Sequence, residues 1–194
     1  LDAVLCYPMA VDVARDGSIY IVDGGSDRVR RVDPDGIITT VLGGPPVEEA
    51  PEGPTICAFP ESDDSLLLEI GDGIFIDDLG GGLLGPEEPT GLDGTFAEDV
   101  DLSYPVDVVV APDGRFYVSD QGTHEVLHVG LDGVVEVALG NPFGLCGFFE
   151  SCGVGSRGRD IPVYNVGSLS LDLEGNLTVR TEGEGRRGLG AAGG

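Results

Sequence analysis

The chain contains no lysine and no tryptophan, one methionine and two histidines in 194 residues. Its ten basic residues are all arginine, and 35 acids set against them leave a formal net charge of −25. A surface that negative repels phosphate backbones and anionic lipid headgroups, which argues against nucleic-acid and membrane partners. It favours cationic ligands or divalent metal, with a plain solubility role as the competing reading. No run of roughly 18 apolar residues exists, so no helix inserting into a bilayer is expected. A nucleophile elbow G-x-S-x-G, a phosphate-binding loop, C-x-x-C pairs for zinc and a D-x-D-x-D-G calcium loop are all missing. Nor does a helix-length apolar stripe interrupt residues 7–43.

What the sequence has in quantity is glycine, 33 residues, and proline, 13, placed as punctuation between short apolar runs. From Tyr7 to Gly43 the runs MAVDVA, SIYIVD, RVRRVD and IITTVLG are separated by RDG, GGSD and PDG. Alternating apolar runs joined by turns this short make antiparallel neighbours, hence a four-stranded meander. The pattern returns after 97 residues. Tyr7, Pro8, Val11, Val13, Asp16, Gly17, Tyr20, Asp23 and Gly25 recur as Tyr104, Pro105, Val108, Val110, Asp113, Gly114, Tyr117, Asp120 and Gly122. Val29, Val32, Asp35, Gly36, Leu42 and Gly43 return as Val126, Val129, Asp132, Gly133, Leu139 and Gly140. Weaker copies stand at 66–78 and 166–181, and the spacing leads one to expect the first of these as a blade between the two clear ones.

Repeated four-stranded meanders imply radial stacking, so the expected fold is all-β, a β-propeller or propeller segment over residues 1–194. About four blades fit. The clear ones are 7–44 and 104–140, and long loops are expected over 45–65 and 141–164. Beginning at Leu1 and closing on GLGAAGG, the chain reads as a mature or partial one. An incomplete ring leaves strand edges exposed, which proteins avoid, so a completing partner or a truncation is expected.

The stretch PMAVDVARDGSIYIVDGGSDRVRRVDPDGIITTVLGG (8–44) resembles the NHL-repeat family of β-propellers, and 105–140 is similar to it nearly throughout. The connecting DGTFAEDVDLSYP (93–105) also looks like that family's link between blades. Where the family carries its namesake Asn-His pair, this chain has Ser26-Asp27 and Thr123-His124. The resemblance points to a bacterial secreted type. It also implies that metal-dependent members, lyases or lactonases, hold calcium or zinc with residues drawn from several blades. The matching inward positions here are Ala10 and Asp107.

Four groups of residues are candidates for function. Asp72, Asp77 and Asp78 in GDGIFIDDLGGG combine carboxylates with glycine-rich backbone, which suits calcium, the candidate cofactor, as well as it suits a solvated turn. The Asp-Gly pairs at Asp16, Asp35, Asp113 and Asp132 read as turns rather than ligands. His124 and His128, placed in one strand, would stand about 13 Å apart, too far to share a metal, and read as exposed strand residues. Phe143, Phe148 and Phe149 lie in NPFGLCGFFESCGVG, where Cys146 and Cys152 are spaced to close a disulfide around an aromatic contact loop. Cys6–Cys57 then follows by elimination, with free buried thiols as its alternative.

The expected function is a non-enzymatic extracellular or cell-surface module, the periplasm included, for binding or assembly. Its contacts, with a protein partner or with itself, run through blade loops or edge strands. Two alternatives stand beside it, a fragment of a metal-dependent propeller lyase or lactonase and a spacer of a large surface or toxin-like protein.

Overall fold

The structure is a computed structural model that describes residues 3–44, 92–140, 158–161, 163 and 165–181. Strands β1 (Pro8–Val13), β2 (Ile19–Asp23), β3 (Arg28–Val32) and β4 (Ile38–Leu42) form one sheet in that order. A second sheet holds β6 (Pro105–Val110), β7 (Phe116–Asp120), β8 (Glu125–Val129) and β9 (Val134–Leu139), with the two-residue β5 (Thr95–Phe96) added outside β9. The third is the hairpin of β10 (Val166–Leu171) and β11 (Leu177–Thr181). All pairings are antiparallel. These are propeller blades, called A, B and C below, with β1, β6 and β10 innermost.

The turns form because a short carboxylate and a glycine follow one another. Asp16 accepts the Ser18 N–H at 2.9 Å while Gly17 sits at φ 89°. Asp113 and Asp132 do the same for Arg115 and Val134, so these three are turn residues. In the PDG turn the working carboxylate is Asp33 rather than Asp35. It accepts both the Asp35 and the Ile37 N–H, at 3.0 and 2.8 Å.

The two complete blades face each other directly. Tyr20, Val22, Val29 and Leu42 of blade A share a core with Val108, Phe116, Val118, Leu127, Val129 and Val135 of blade B. The rings of Tyr20 and Phe116 meet at 5.1 Å. The Gly43 N–H, at the end of blade A, bonds to the Ala97 carbonyl at 3.1 Å, and Ala97 bonds in turn to the β8–β9 turn at Gly133. The 97-residue repeat is therefore a single blade step. The blade expected between A and B does not stand between their inner strands, and its sequence, 66–78, lies outside the described residues. The step from B to C repeats the junction, with the Gly140 N–H on the Gly158 carbonyl.

Close approach explains one glycine of the repeat. A Cβ on Gly122 would meet the Ser103 carbonyl oxygen at 2.1 Å, where the Gly122 N–H makes a 2.7 Å bond. Gly36, by contrast, has open space and only its φ of 83° to defend. Urea unfolding should accordingly separate the two. Gly36→Ala is expected to cost about 1 kcal/mol for the left-handed backbone, and Gly122→Ala about 3 kcal/mol because backbone must move.

Candidate functional site

An innermost propeller strand pairs on one edge only, so the amides of its other edge need acceptors. Aspartates supply them. Asp12 takes the N–H of Val13 in its own strand at 2.8 Å and that of Val110 in the next blade at 2.7 Å. One step on, Asp107 takes its own Val108 N–H at 2.9 Å and the Leu169 N–H of blade C at 2.7 Å. Each carboxylate thus ties two neighbouring inner strands, one oxygen to each. Asp12 and Asp107 are not equivalent by the 97-residue repeat. They stand two residues apart in the blade frame and project from the same face of the inner strand.

A second tie joins the blades at the turn before the third strand. Asp27 accepts the Tyr104 N–H at 3.0 Å, and in the same position of blade B His124 Nδ1 accepts the Asn165 N–H at 3.3 Å. Both acceptors have left-handed backbone, φ 48° and 61°, as do Tyr7, Tyr104 and Asn165, the residues before each inner strand. His124 therefore lies in a turn, not in the strand where it was expected, because β8 begins at Glu125. His128 is in that strand but is not an exposed residue. Its ring packs on Tyr117 at 4.9 Å, its side chain is 15% exposed, and Nδ1 faces Glu136 at 3.6 Å.

The aspartates that end the second strands are buried. Asp23 accepts the Cys6 N–H, and Asp120 accepts those of Ser103 and Gly122, at 2.8 and 3.3 Å. Burial pushes the Asp120 carboxyl up to about 6, against the downward pull of those two N–H groups. Exposed turn carboxylates go the other way. The Ser18 N–H holds Asp16 below its ordinary value, Arg115 holds Asp113 down, and the Asn176 side chain does so for Asp172.

At the start of the inner strands the three blades enclose a hollow of about 270 Å³, lined by Met9, Tyr104, Asp107, Gln121, Ser168 and Arg180 among others. Asp107 does reach this mouth, but both its oxygens are engaged by backbone N–H groups, so it works there as a tie. Among the described residues no three His, Cys, Asp or Glu side chains converge on a point where they would hold a metal. Cys6 is 7% exposed and disulfide-bonded. Its possible partners Cys57, Cys146 and Cys152 lie outside the described residues, as do Asp72, Asp77, Asp78, Phe143, Phe148 and Phe149.

The outer face of blade A has no counterpart among the sites foreseen from sequence. Val11 and Val13 are 63% and 62% exposed, and Ile19 beside them is 37% exposed. Their equivalents in blade B, Val108, Val110 and Phe116, pack against blade A, with Val108 and Phe116 3% and 5% exposed and Val110 half-buried. The register Val11↔Ile21↔Arg30↔Thr40 and Val13↔Ile19↔Val32↔Ile38 carries this open face across all four strands.

Residues 102–129 match the NHL repeat family. They run from the link before β6 to the end of β8, so the chain carries an NHL repeat, and that repeat is the body of blade B. No curated protein sequence matches the chain. Among solved structures it is similar to a selenomethionine-substituted virginiamycin B lyase from Staphylococcus aureus, at 9% identity and TM-score 0.44, over 90% of this chain. A catalytically inactive virginiamycin B lyase from Staphylococcus aureus with quinupristin gives 12% identity, TM-score 0.43 and 93% coverage, and a streptogramin B lyase gives 8%, 0.42 and 93%. The chain spans 34%, 36% and 42% of those three chains.

Two measurements check the site as described. Asp107→Ala should raise exchange of the Leu169 amide at least about tenfold, since a bond to a charged group is worth roughly 1.5–3 kcal/mol. Exchange at Val110, tied to Asp12 instead, should not change. Carbon-detected titration should find Asp120 near pH 6, with Asp16, Asp113 and Asp172 below 3.8. With a folded value above its unfolded 3.8, Asp120 favours the folded state when protonated. Its contribution is complete below that pH and is lost as pH rises through about 6.

Proposed function

We propose that the chain is a non-enzymatic assembly module of the extracellular space or cell surface, joining other polypeptides through the open face of blade A. One observation carries the reading. Val11, Val13, Ile19, Ile21, Val32 and Ile38 stand, position for position, where blade B has Val108, Val110, Phe116, Val118, Val129 and Val135, and those residues pack at the seam with blade A. A face that is buried in one blade and open at Val11, Val13 and Ile19 in the next reads as a contact surface. The carboxylates at the inner strands support the same reading, since Asp12 and Asp107 are occupied as ties between blades. Secretion fits the disulfide-bonded Cys6.

A photo-crosslinking residue at position 11 tests this in the presence of the host's own surface and secreted proteins. The expected result is one discrete protein adduct, with none from the same probe at Leu173, which is fully exposed at the β10–β11 turn. Adducts of equal yield from both positions, or none from position 11, would sink the assembly role.

A further inference from the structure

We infer that Asn176 is the acceptor of an N-linked glycan, attached on export. This rests on the extracellular part of the reading above and not on the open face of blade A. The chain has three asparagines, Asn141, Asn165 and Asn176, and Asn176-Leu177-Thr178 is the one N-x-[ST] acceptor sequence they make. Such a sequence works only where a transferase reaches both the carboxamide and the hydroxyl, which ties it to the surface of a secreted protein.

The fold meets that condition. Asn176 ends the β10–β11 connection and Leu177 opens β11. Asn176 and Thr178 are exposed, and Leu177 between them is half-buried. In an extended chain residues two apart project to the same side, so carboxamide and hydroxyl stand together and Leu177 points away. The same position in the other blades is different. The turn bonds align Asn176 with Ser18 and Arg115, and the strand registers align Thr178 with Tyr20 and Tyr117. Ser18 is fully buried and Tyr20 is 7% exposed. Tyr117 is half-buried and packs on His128. Of these three turns, that of blade C alone presents an amide and a hydroxyl in the open.

The turn also tolerates the attachment. Asp172 Oδ1 accepts the backbone N–H groups of Glu174 and Asn176 at 2.9 and 2.8 Å, and the Asp172 N–H bonds to the Asn176 carbonyl at 3.1 Å. Those bonds hold the turn without the Asn176 side chain, whose Nδ2 donates to Asp172 Oδ2 at 2.7 Å. A carboxamide nitrogen carries two hydrogens, so that bond uses one and substitution takes the other.

The donor is an oligosaccharide carried on a polyisoprenyl diphosphate. Asn176 Nδ2 attacks the anomeric carbon of the first sugar, and the bond from that carbon to the diphosphate oxygen breaks. Polyisoprenyl diphosphate leaves with the electron pair, and one Nδ2 proton passes to a base of the transferase. Glu174, exposed two residues before Asn176, offers a carboxylate to a transferase whose acceptor groove is basic. The glycan then stands on the turn that carries the fully exposed Leu173, at the end of β10 away from the hollow.

The test incubates the purified, disulfide-intact chain with a bacterial oligosaccharyltransferase and its polyisoprenyl-diphosphate oligosaccharide, beside the free peptide 170–181. Intact-mass spectrometry should show one glycan on the chain, and peptide mapping should place it on Asn176. Asn176→Gln and Thr178→Val should each cut the yield at least about tenfold with circular dichroism unchanged, whereas Thr178→Ser keeps it. A folded chain left without glycan overturns the inference, and modification of the peptide alone would locate the failure in the fold. A yield that Asn176→Gln leaves unchanged overturns it as well. The assembly reading stands or falls separately, on the adduct at position 11. A glycosylated chain that gives no such adduct keeps Asn176 as acceptor and loses the assembly role.

Discussion

Everything in this architecture depends on how the unpaired edge of an innermost strand is satisfied. Each blade is a meander with one inner edge lacking a partner strand, and exposed edges are aggregation hazards. Here the amides of that edge are taken by aspartates, each bridging its own strand and the next. A bond of this kind does two jobs for one side chain, since it quiets an edge and fixes the spacing of adjacent blades. The buried packing of Tyr20 on Phe116 follows from that spacing. So does the reach of Asp27 and His124 to the residue that opens the following blade.

Much of the fold was legible beforehand, for physical reasons that particular residues make plain. Strands β1 to β4 fall where alternation and Asp-Gly punctuation put them, because connections of four or five residues leave the chain no choice but to double back. The hairpin of β10 and β11 survived the loss of the terminal Asp at Thr181 because its turn, Asp172 to Asn176, kept the carboxylate-and-glycine chemistry. The ring order was not legible. A 97-residue interval looks like two blades of ordinary size, and nothing local to either copy says what lies beside it. Only contacts between blades, Asp12 with Val110 above all, make the interval one step.

The site was harder to read than the fold. Asp107 stands out in the sequence as an acid at an inward position, and a metal-ligand role for it follows from the family resemblance rather than from the residue. The seam assigns it backbone amides instead. Asp12 is inconspicuous because an alternating strand hides its one acid among valines. His124 reads as a strand residue in the sequence because the left-handed position before β8 is held by histidine itself rather than by glycine. The open face of blade A was invisible for a simpler reason, since Val11 and Val108 are the same letter and only one of them is covered.

The acidic composition takes on a different meaning in this light. A charge of −25 suggests a protein that seeks cations or fends off its neighbours. Yet the aspartates at positions 12, 16, 23, 27, 33, 93, 107, 113, 120, 132 and 172 all accept backbone N–H groups. Aspartate suits that work because its carboxylate stands one methylene from the backbone and reaches amides two residues on or one strand across. Glutamate is too long for the same turns, and asparagine offers one acceptor where the seams use two. Much of the negative charge is thus a consequence of building with turns and unpaired edges. The repulsion it produces between copies then comes without further cost.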